Sequence, residues 1–172
     1  MTANILTTNQ TVLKANTKQA LFLQGIMLAA ALGLPALCHI LGLSGGALLP
    51  MHWPILLCAL VYGYRPAITL ALAAVAISFA LSGMPPVYLL PLMAGELAIY
   101  AFVAGFCREK LHLNYFVSLL LALVAGKLVY IALGYLVLPA FSAVVLASGA
   151  FAVLGQLILI PVLAKKWTSK LQ

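Results

Sequence analysis

Six apolar segments dominate the sequence, separated by short polar or Pro- and Gly-containing connections. They cover residues 20–40, 50–63, 67–81, 87–106, 114–137 and 141–164. A transmembrane helix needs about 20 residues, so the first, fourth, fifth and sixth segments are long enough to span. The second and third are shorter and are expected to pack against neighbouring helices rather than lie fully in lipid. Pro35 is expected to break the first segment near its end.

The apolar segments are predicted to be helical. Backbone polar groups in lipid must be satisfied within the protein, and these segments lack the two-residue alternation of a β-barrel. Of the 172 residues, 66% are hydrophobic and 6% are charged, and the mean hydropathy is +1.20. The sequence therefore predicts an all-α polytopic membrane protein, a bundle of six transmembrane helices. Its expected parts are a cytoplasmic N-terminal arm at 1–19, a transmembrane domain at 20–164 and a basic cytoplasmic tail at 165–172.

The charge pattern predicts the orientation of the bundle. The formal net charge is +7, which in a soluble protein would suggest nucleic-acid binding. Here the bases flank the apolar segments, as the positive-inside rule requires, and no nucleic-acid partner is expected. With the N-terminus inside, the bases that fall on the cytoplasmic side are Lys14, Lys18, Arg65, Arg108, Lys110, Lys165, Lys166 and Lys170. Both termini are therefore predicted to be cytoplasmic.

The remaining base and one of the two acids lie inside apolar segments. Glu96 is expected at a depth of about 15 Å in a hydrocarbon layer of about 30 Å. Lys127 lies on the next segment, which runs in the opposite direction, within about 5 Å of the same depth. Because intramembrane charges are costly unless paired, we expect the two to pair. Tyr100 (i+4 from Glu96) and Tyr130 (i+3 from Lys127) share their helix faces. The pair either fixes helix packing or forms the wall of a substrate pocket.

Three further features allow a structural and a functional interpretation. His52 and Trp53 lie at the lip of the second segment, where they are either interfacial belt residues or pocket residues with Trp53 available for stacking on a ring. Gln156 either bonds a neighbouring helix or contacts substrate. The first segment carries small residues that allow close helix approach, for packing within the chain or for docking to a separate membrane subunit. These small residues include Ala29, Ala30 and Gly33.

No catalytic motif is present, and the sequence predicts a protein that is not an enzyme. It has no Walker A loop, no His-Glu-x-x-His and no Gly-x-Ser-x-Gly, and one buried acid cannot supply a carboxylate pair. Its three histidines lie on different segments, so no metal site is predicted. The three cysteines have unrelated spacings and are expected to pack as small apolar residues. No cofactor is expected.

Several motifs together resemble one family. They are LPMHWPILL at 49–57, GMPP at 83–86, ELAIY at 96–100, GK at 126–127 and QLILIP at 156–161. They are similar to the substrate-binding S components of energy-coupling factor (ECF) transporters, a class of ABC importers. The resemblance extends from the first to the sixth segment, and its motifs belong to a subgroup of the family. Length, six helices and cytoplasmic termini also agree with it.

The resemblance implies a six-helix bundle with a pocket near its outer face, capped by the first, third and fifth outer connections. Such proteins bind a vitamin, a precursor or a metal ion, associate with a transmembrane coupling subunit and two cytoplasmic ATPases, and topple in the membrane to release substrate. In the family, small residues on the first helix contact the coupling subunit, and Ala29, Ala30 and Gly33 occupy the matching positions. Similar sequences more often have Arg at the position of Lys127, and Lys cannot bind a carboxylate bidentately.

The resemblance therefore implies substrate capture for import across a bacterial cytoplasmic (inner) membrane. The nickel and cobalt members begin with Met-His, whereas this chain begins Met-Thr-Ala, so a small organic micronutrient, a vitamin or its precursor, is expected rather than a metal. The predicted substrate-binding residues are His52, Trp53, Glu96, Tyr100, Lys127, Tyr130 and Gln156. Two other functions stay open: a solitary secondary transporter that uses Glu96 as a proton site, and a non-transporting membrane scaffold subunit.

Overall fold

Every regular element is helical in the computed structural model of the protein, which describes residues 12–43, 48–138 and 149–171. A 3₁₀ turn at Val87–Leu89 leads directly into α4. The helices are α1 (Lys18–Ile40), α2 (His52–Tyr62), α3 (Tyr64–Ser82), α4 (Leu90–Glu109), α5 (Tyr115–Val137) and α6 (Ala150–Leu171).

Five of these elements are long and apolar enough to cross a membrane. They are α1, α3, α5, α6 and the continuous run of the 3₁₀ turn with α4. The sixth, α2, has 11 residues. The chain is therefore a multi-pass helical membrane protein, as its apolar segments predict.

The short helix α2 forms the centre of the bundle. Nine of its eleven residues are buried, and it packs against α1, α3, α4 and α6. This confirms the prediction that the second segment lies against neighbouring helices. A helix surrounded on all sides by apolar neighbours has no need of an amphipathic pattern, which explains why Ile55, Leu56 and Cys58, on different faces, are all fully buried.

The third segment is longer than predicted. α3 has 19 residues and begins at Tyr64, so residues 64–66, expected to form a loop, make up its first turn. Pro66 is compatible with that position because the N–H groups of a first helical turn have no partner within the helix. The only residue between α2 and α3 is Gly63, whose φ of 88° and ψ of −177° lie in a region that is essentially restricted to glycine.

Pro35 does not break α1, contrary to the prediction. The helix continues through it to Ile40. Proline removes one helical hydrogen bond, but the following turn is intact, since the amide of Leu41 donates to the carbonyl of Leu37 at 3.0 Å. α6 likewise continues through Pro161.

The last helix is displaced along the chain relative to the predicted segment. α6 begins at Ala150 and extends to Leu171, so the basic stretch from Lys165 onward continues the helix. The first part of the predicted segment, residues 141–148, lies outside the described residues.

One end of the bundle gathers most of the basic residues. The start of α1 and the end of α6 meet there around a cavity lined by Gln19, Leu23, Leu163, Lys166, Trp167 and Lys170. The amide of Leu13 donates to the carbonyl of Val61 at 2.8 Å, and the Tyr64 ring contacts the Phe106 ring. These contacts bring the α2–α3 junction and the end of α4 to the same end. Consequently α1, α3 and α5 run from the basic end toward the opposite end, and α2, α4 and α6 run back toward the basic end.

Candidate binding cavity

A cavity of about 370 Å³ lies at the opposite end of the bundle. Its wall is built from the last turns of α1 and α3, the first turn of α2, the turn before α4, the first half of α4 and the second half of α5. The lining residues are Pro35, His39, Leu49, Pro50, Met51, His52, Ser78, Met84, Pro85, Pro86, Leu89, Met93, Glu96, Lys127, Tyr130 and Gly149. The volume is at the lower end of the range of about 300–1,000 Å³ for small-molecule sites.

The cavity floor is a cluster of polar side chains centred on Glu96. Lys127 Nζ donates to Glu96 Oε1 at 2.6 Å, and the Tyr100 hydroxyl donates to the same oxygen at 2.8 Å. The other carboxylate oxygen, Oε2, lies 3.6 Å from His52 Nε2, which is longer than a hydrogen bond. The predicted pairing of Glu96 with Lys127 is therefore confirmed.

Three helices bring these groups together for reasons visible in the sequence. Glu96 and Tyr100 lie one turn apart on α4, so their side chains share a face. Lys127 follows Gly126 on α5. A β-carbon at Gly126 would overlap the Tyr100 ring, so this glycine leaves the space from which the Tyr100 hydroxyl reaches Glu96. His52 comes from the first turn of α2, with its ring edge-on to Tyr100 at a centroid distance of 5.4 Å.

The charged groups of the cluster differ in accessibility. The side chains of Glu96 and His52 are each 3% exposed, whereas the Lys127 side chain is 24% exposed. Lys127 Nζ also lies 5.4 Å from the centre of the Tyr130 ring, within reach of a cation–π interaction. The base is thus partly open and the acid is enclosed.

The turn that forms one rim of the cavity is fastened to α3. Gly83 adopts the left-handed conformation with φ of 69°, and its amide donates to the carbonyl of Phe79 at 2.8 Å, which ends the helix. The Ser78 hydroxyl donates to the carbonyl of Met84 at 2.9 Å. These bonds hold Met84, Pro85 and Pro86 over the cavity.

Four of the seven predicted site residues line the cavity, namely His52, Glu96, Lys127 and Tyr130. Tyr100 is fully buried behind Glu96 and reaches the cavity only through its hydrogen bond to that carboxylate.

Trp53 and Gln156 are not among the described residues that line the cavity. The Trp53 indole N–H donates to the carbonyl of Leu48 at 3.1 Å, and its ring lies beside Gly155 of α6. Gln156 is fully buried, and neither atom of its amide has a hydrogen-bond partner among the described residues. The structure therefore places Trp53 as a contact between the rim of the cavity and α6.

Sequence reasoning missed Ser78 and Met93, which also line the cavity. Met93 lies three residues before Glu96, on the same helix face, and that spacing is a usable signal. Ser78 is a polar residue in an apolar helix, four residues before Ser82. Ser78 contacts the turn at Met84 because of the way α3 ends, and the position of Ser78 in the sequence does not predict that contact.

Within the residues that the structure describes, no group of three or more His, Cys, Asp or Glu side chains comes together. Cys38, Cys58 and Cys107 are buried thiols.

The predicted docking surface on α1 lies on the outside of the bundle. Ala29 and Gly33 are exposed and Ala30 is half-buried. A β-carbon added at Gly33, or at Gly25 two turns earlier, would meet no atom within 4 Å. No described residue of this chain covers this stripe at those glycines.

Comparisons with models of protein families, with curated proteins and with solved structures find no match to this chain.

Proposed function

We propose that this chain is the substrate-capture subunit, or S component, of an ECF-type importer. It binds a vitamin or related small organic micronutrient in the cavity beside Glu96 and Lys127 and delivers it by association with an ATPase-driven coupling subunit. The observation that carries the proposal is the cavity of about 370 Å³ with a partly open lysine fixed by an enclosed acid at its floor. A few convergent polar groups in a mostly apolar cavity are typical of small-molecule sites.

The proposed membrane orientation follows from the charges. The basic end of the bundle faces the cytoplasm, which puts the cavity on the outer side of a bacterial cytoplasmic membrane. The chain crosses the membrane six times in this orientation, and the short α2 forms part of the second crossing within the bundle. Met51 and Met84, from the first and third outer connections, line the cavity, as expected for such a subunit. Of the predicted fifth connection, around residues 138–140, residues 139 and 140 lie outside the described residues.

The partner proposed for the small-residue stripe of α1 is the transmembrane coupling subunit, which in turn binds two cytoplasmic ATPases. A surface of Gly and Ala lets the backbones of two helices approach closely, which is how helices associate in membranes without a hydrophobic driving force. Ala29, Ala30 and Gly33 form the centre of this surface.

The two alternatives have less support. A proton-coupled solitary transporter needs a carboxylate that can exchange protons with water, but Glu96 is enclosed and bonded by Lys127 and Tyr100. In a scaffold subunit the polar groups around Glu96 would serve only to link helices, and that function does not require a cavity beside them.

Native mass spectrometry of the detergent-purified protein tests the proposal. We expect a co-purified small molecule, with an adduct mass that disappears in the Lys127→Ala variant. The matched control is Lys110→Ala, because Lys110 lies at the far end of the bundle with a side chain that is 55% exposed. Retention of the adduct by Lys127→Ala would place the ligand elsewhere. A protein without an adduct that also binds no vitamin or precursor at millimolar concentration would contradict the proposal and favour the scaffold.

A further inference from the structure

The cavity floor presents its charges unequally to a ligand. Glu96 Oε1 accepts hydrogen bonds from Lys127 and Tyr100, while Oε2 faces His52. With a side chain that is 3% exposed, the acid is closed to a cationic group of a ligand. Removing those neighbours would leave a buried carboxylate without its hydrogen bonds, which is costly.

Lys127 is the charged group that a ligand can reach. Its ammonium has three N–H donors, of which one is directed to Glu96 at 2.6 Å, and its side chain is 24% exposed. The two N–H donors that remain have no hydrogen-bond acceptor among the described residues and can bind a negatively charged group.

The rest of the described lining is mostly apolar. The Ser78 hydroxyl donates to the carbonyl of Met84, so its proton is not available to a ligand. The apolar lining residues are Pro35, Leu49, Pro50, Met51, Met84, Pro85, Pro86, Leu89 and Met93. A ligand body in contact with proline rings and methionine side chains gains most from an apolar surface, and methionine adapts to irregular shapes.

Building on the proposed function, we infer that the substrate is a small organic monoanion. One carboxylate accepts hydrogen bonds from Lys127 Nζ, and a predominantly apolar body fills the space between α1, α4 and the Met84–Pro86 turn. A zwitterion or an organic cation is disfavoured because its positive group would meet no accessible carboxylate. Glu96 offsets the charge of Lys127, and His52 Nε2 lies 3.6 Å from Glu96 Oε2, on the side of the carboxylate away from the lysine.

The test identifies the co-purified molecule and then measures the role of its acid group. The molecule is released by denaturation and identified by fragmentation mass spectrometry. Isothermal titration then compares it with its primary amide. Nicotinate, indole-3-acetate, biotin and lipoate are titrated in parallel, each with its amide. We expect the acid to bind about 10- to 100-fold more tightly than the amide, the range that one charge-assisted hydrogen bond supplies.

Substitutions of Lys127 test whether this residue causes the preference for the acid over the amide. Lys127→Arg should retain the preference for the acid, and Lys127→Met should abolish it. If Lys127→Met fails to fold because Glu96 is left unpaired, the double variant Glu96→Gln/Lys127→Met, which buries no charge, replaces it. Lys110→Met is the control and should bind as the unmodified protein does.

The outcomes separate this inference from the proposed function. A neutral, cationic or zwitterionic co-purified molecule, or equal affinities for acid and amide, would overturn the monoanion while the binding function stands. If no molecule co-purifies, and neither the panel nor any other vitamin or precursor binds at millimolar concentration, both are overturned.

Discussion

Replacing Lys127 by methionine leaves Glu96 as an uncompensated carboxylate inside the bundle. At the observed Nζ–Oε1 distance of 2.6 Å, two unit charges attract by about 6 kcal/mol at an effective dielectric constant of about 20. The cost of removing both ions from water offsets much of this attraction. Breaking such a buried pair by removing one partner typically costs about 3–5 kcal/mol, since the remaining charge has no compensation. We expect Lys127→Met to lower the free energy of unfolding by that amount.

A double-mutant cycle separates the pair from the effects of each side chain. The variants are Lys127→Met, Glu96→Gln and the two combined. The combined variant buries no charge, so we expect its loss of stability to be smaller than the sum of the two single losses by about 2–3 kcal/mol, near the upper limit for residues in direct contact.

Reversible unfolding in mixed detergent micelles at one fixed pH is the appropriate assay. Lys110→Met provides the control, because an exposed substitution of this kind changes stability by no more than about 0.5 kcal/mol. Additive losses in the cycle, or a loss below about 1 kcal/mol for Lys127→Met, would refute the view that Glu96 depends on this lysine.

Three other substitutions test the packing and hydrogen bonding beside Glu96 and the small-residue stripe of α1. Gly126→Ala should lower the free energy of unfolding by about 1–3 kcal/mol because the new methyl group overlaps the Tyr100 ring. The control Gly33→Ala places its methyl group in open space and should leave the free energy of unfolding unchanged. Equal effects of the two substitutions in thermal unfolding would contradict the role of Gly126. Tyr100→Phe should cost about 1.5–3 kcal/mol in the same assay by removing a hydrogen bond to a carboxylate; an unchanged stability would contradict it. Gly33→Leu should retain ligand binding but prevent co-purification with the proposed coupling subunit, whereas Ala132→Leu, on the exposed side of α5, should retain both.

Depth in the bundle was predictable from the sequence because a helix rises by a constant 1.5 Å per residue. Glu96 and Lys127 could be placed at one level by counting from the ends of their segments, and the structure confirms their contact. The same counting predicted that the short second segment, residues 50–63, packs against neighbouring helices, as α2 does. It also judged the third segment to be short, whereas α3 has 19 residues.

Rotation about each helix axis was not predictable to the same degree. Trp53 is next to His52 in the sequence, but consecutive helical residues point about 100° apart, so His52 faces the cavity and Trp53 faces α6. Sequence spacing also gave no reason to distinguish Tyr100 from Tyr130, since each lies one turn from a charged residue. The structure distinguishes them, because the space beside Gly126 admits the Tyr100 ring to the buried side of Glu96, while Tyr130 lines the cavity.

Helix ends were misjudged where proline occurs. Pro35 suggested an interruption, yet α1 continues through it. The predicted connection at 64–66, which ends in Pro66, is the first turn of α3. A helix in a bilayer has no water to replace its backbone bonds, so the loss of one bond at a proline is less costly than the loss of several at a break. Prolines are therefore weaker helix terminators in this chain than they would be in a soluble domain.

The asymmetry of the charged pair favours ligand binding over a purely structural role. Two well-packed apolar side chains would link α4 and α5 at least as strongly as a buried ion pair, which is often no more stabilising than its hydrophobic replacement. A structural pair would also be best enclosed on both sides, whereas here Glu96 is closed and Lys127 is partly open to the cavity. Glu96 restricts the lysine to one position and offsets its charge in the unliganded protein. In the proposed binding function, an ammonium held in place before the ligand arrives loses less conformational entropy on binding, a gain of about 0.5–1.5 kcal/mol, which offsets part of the cost of keeping two charges in the membrane.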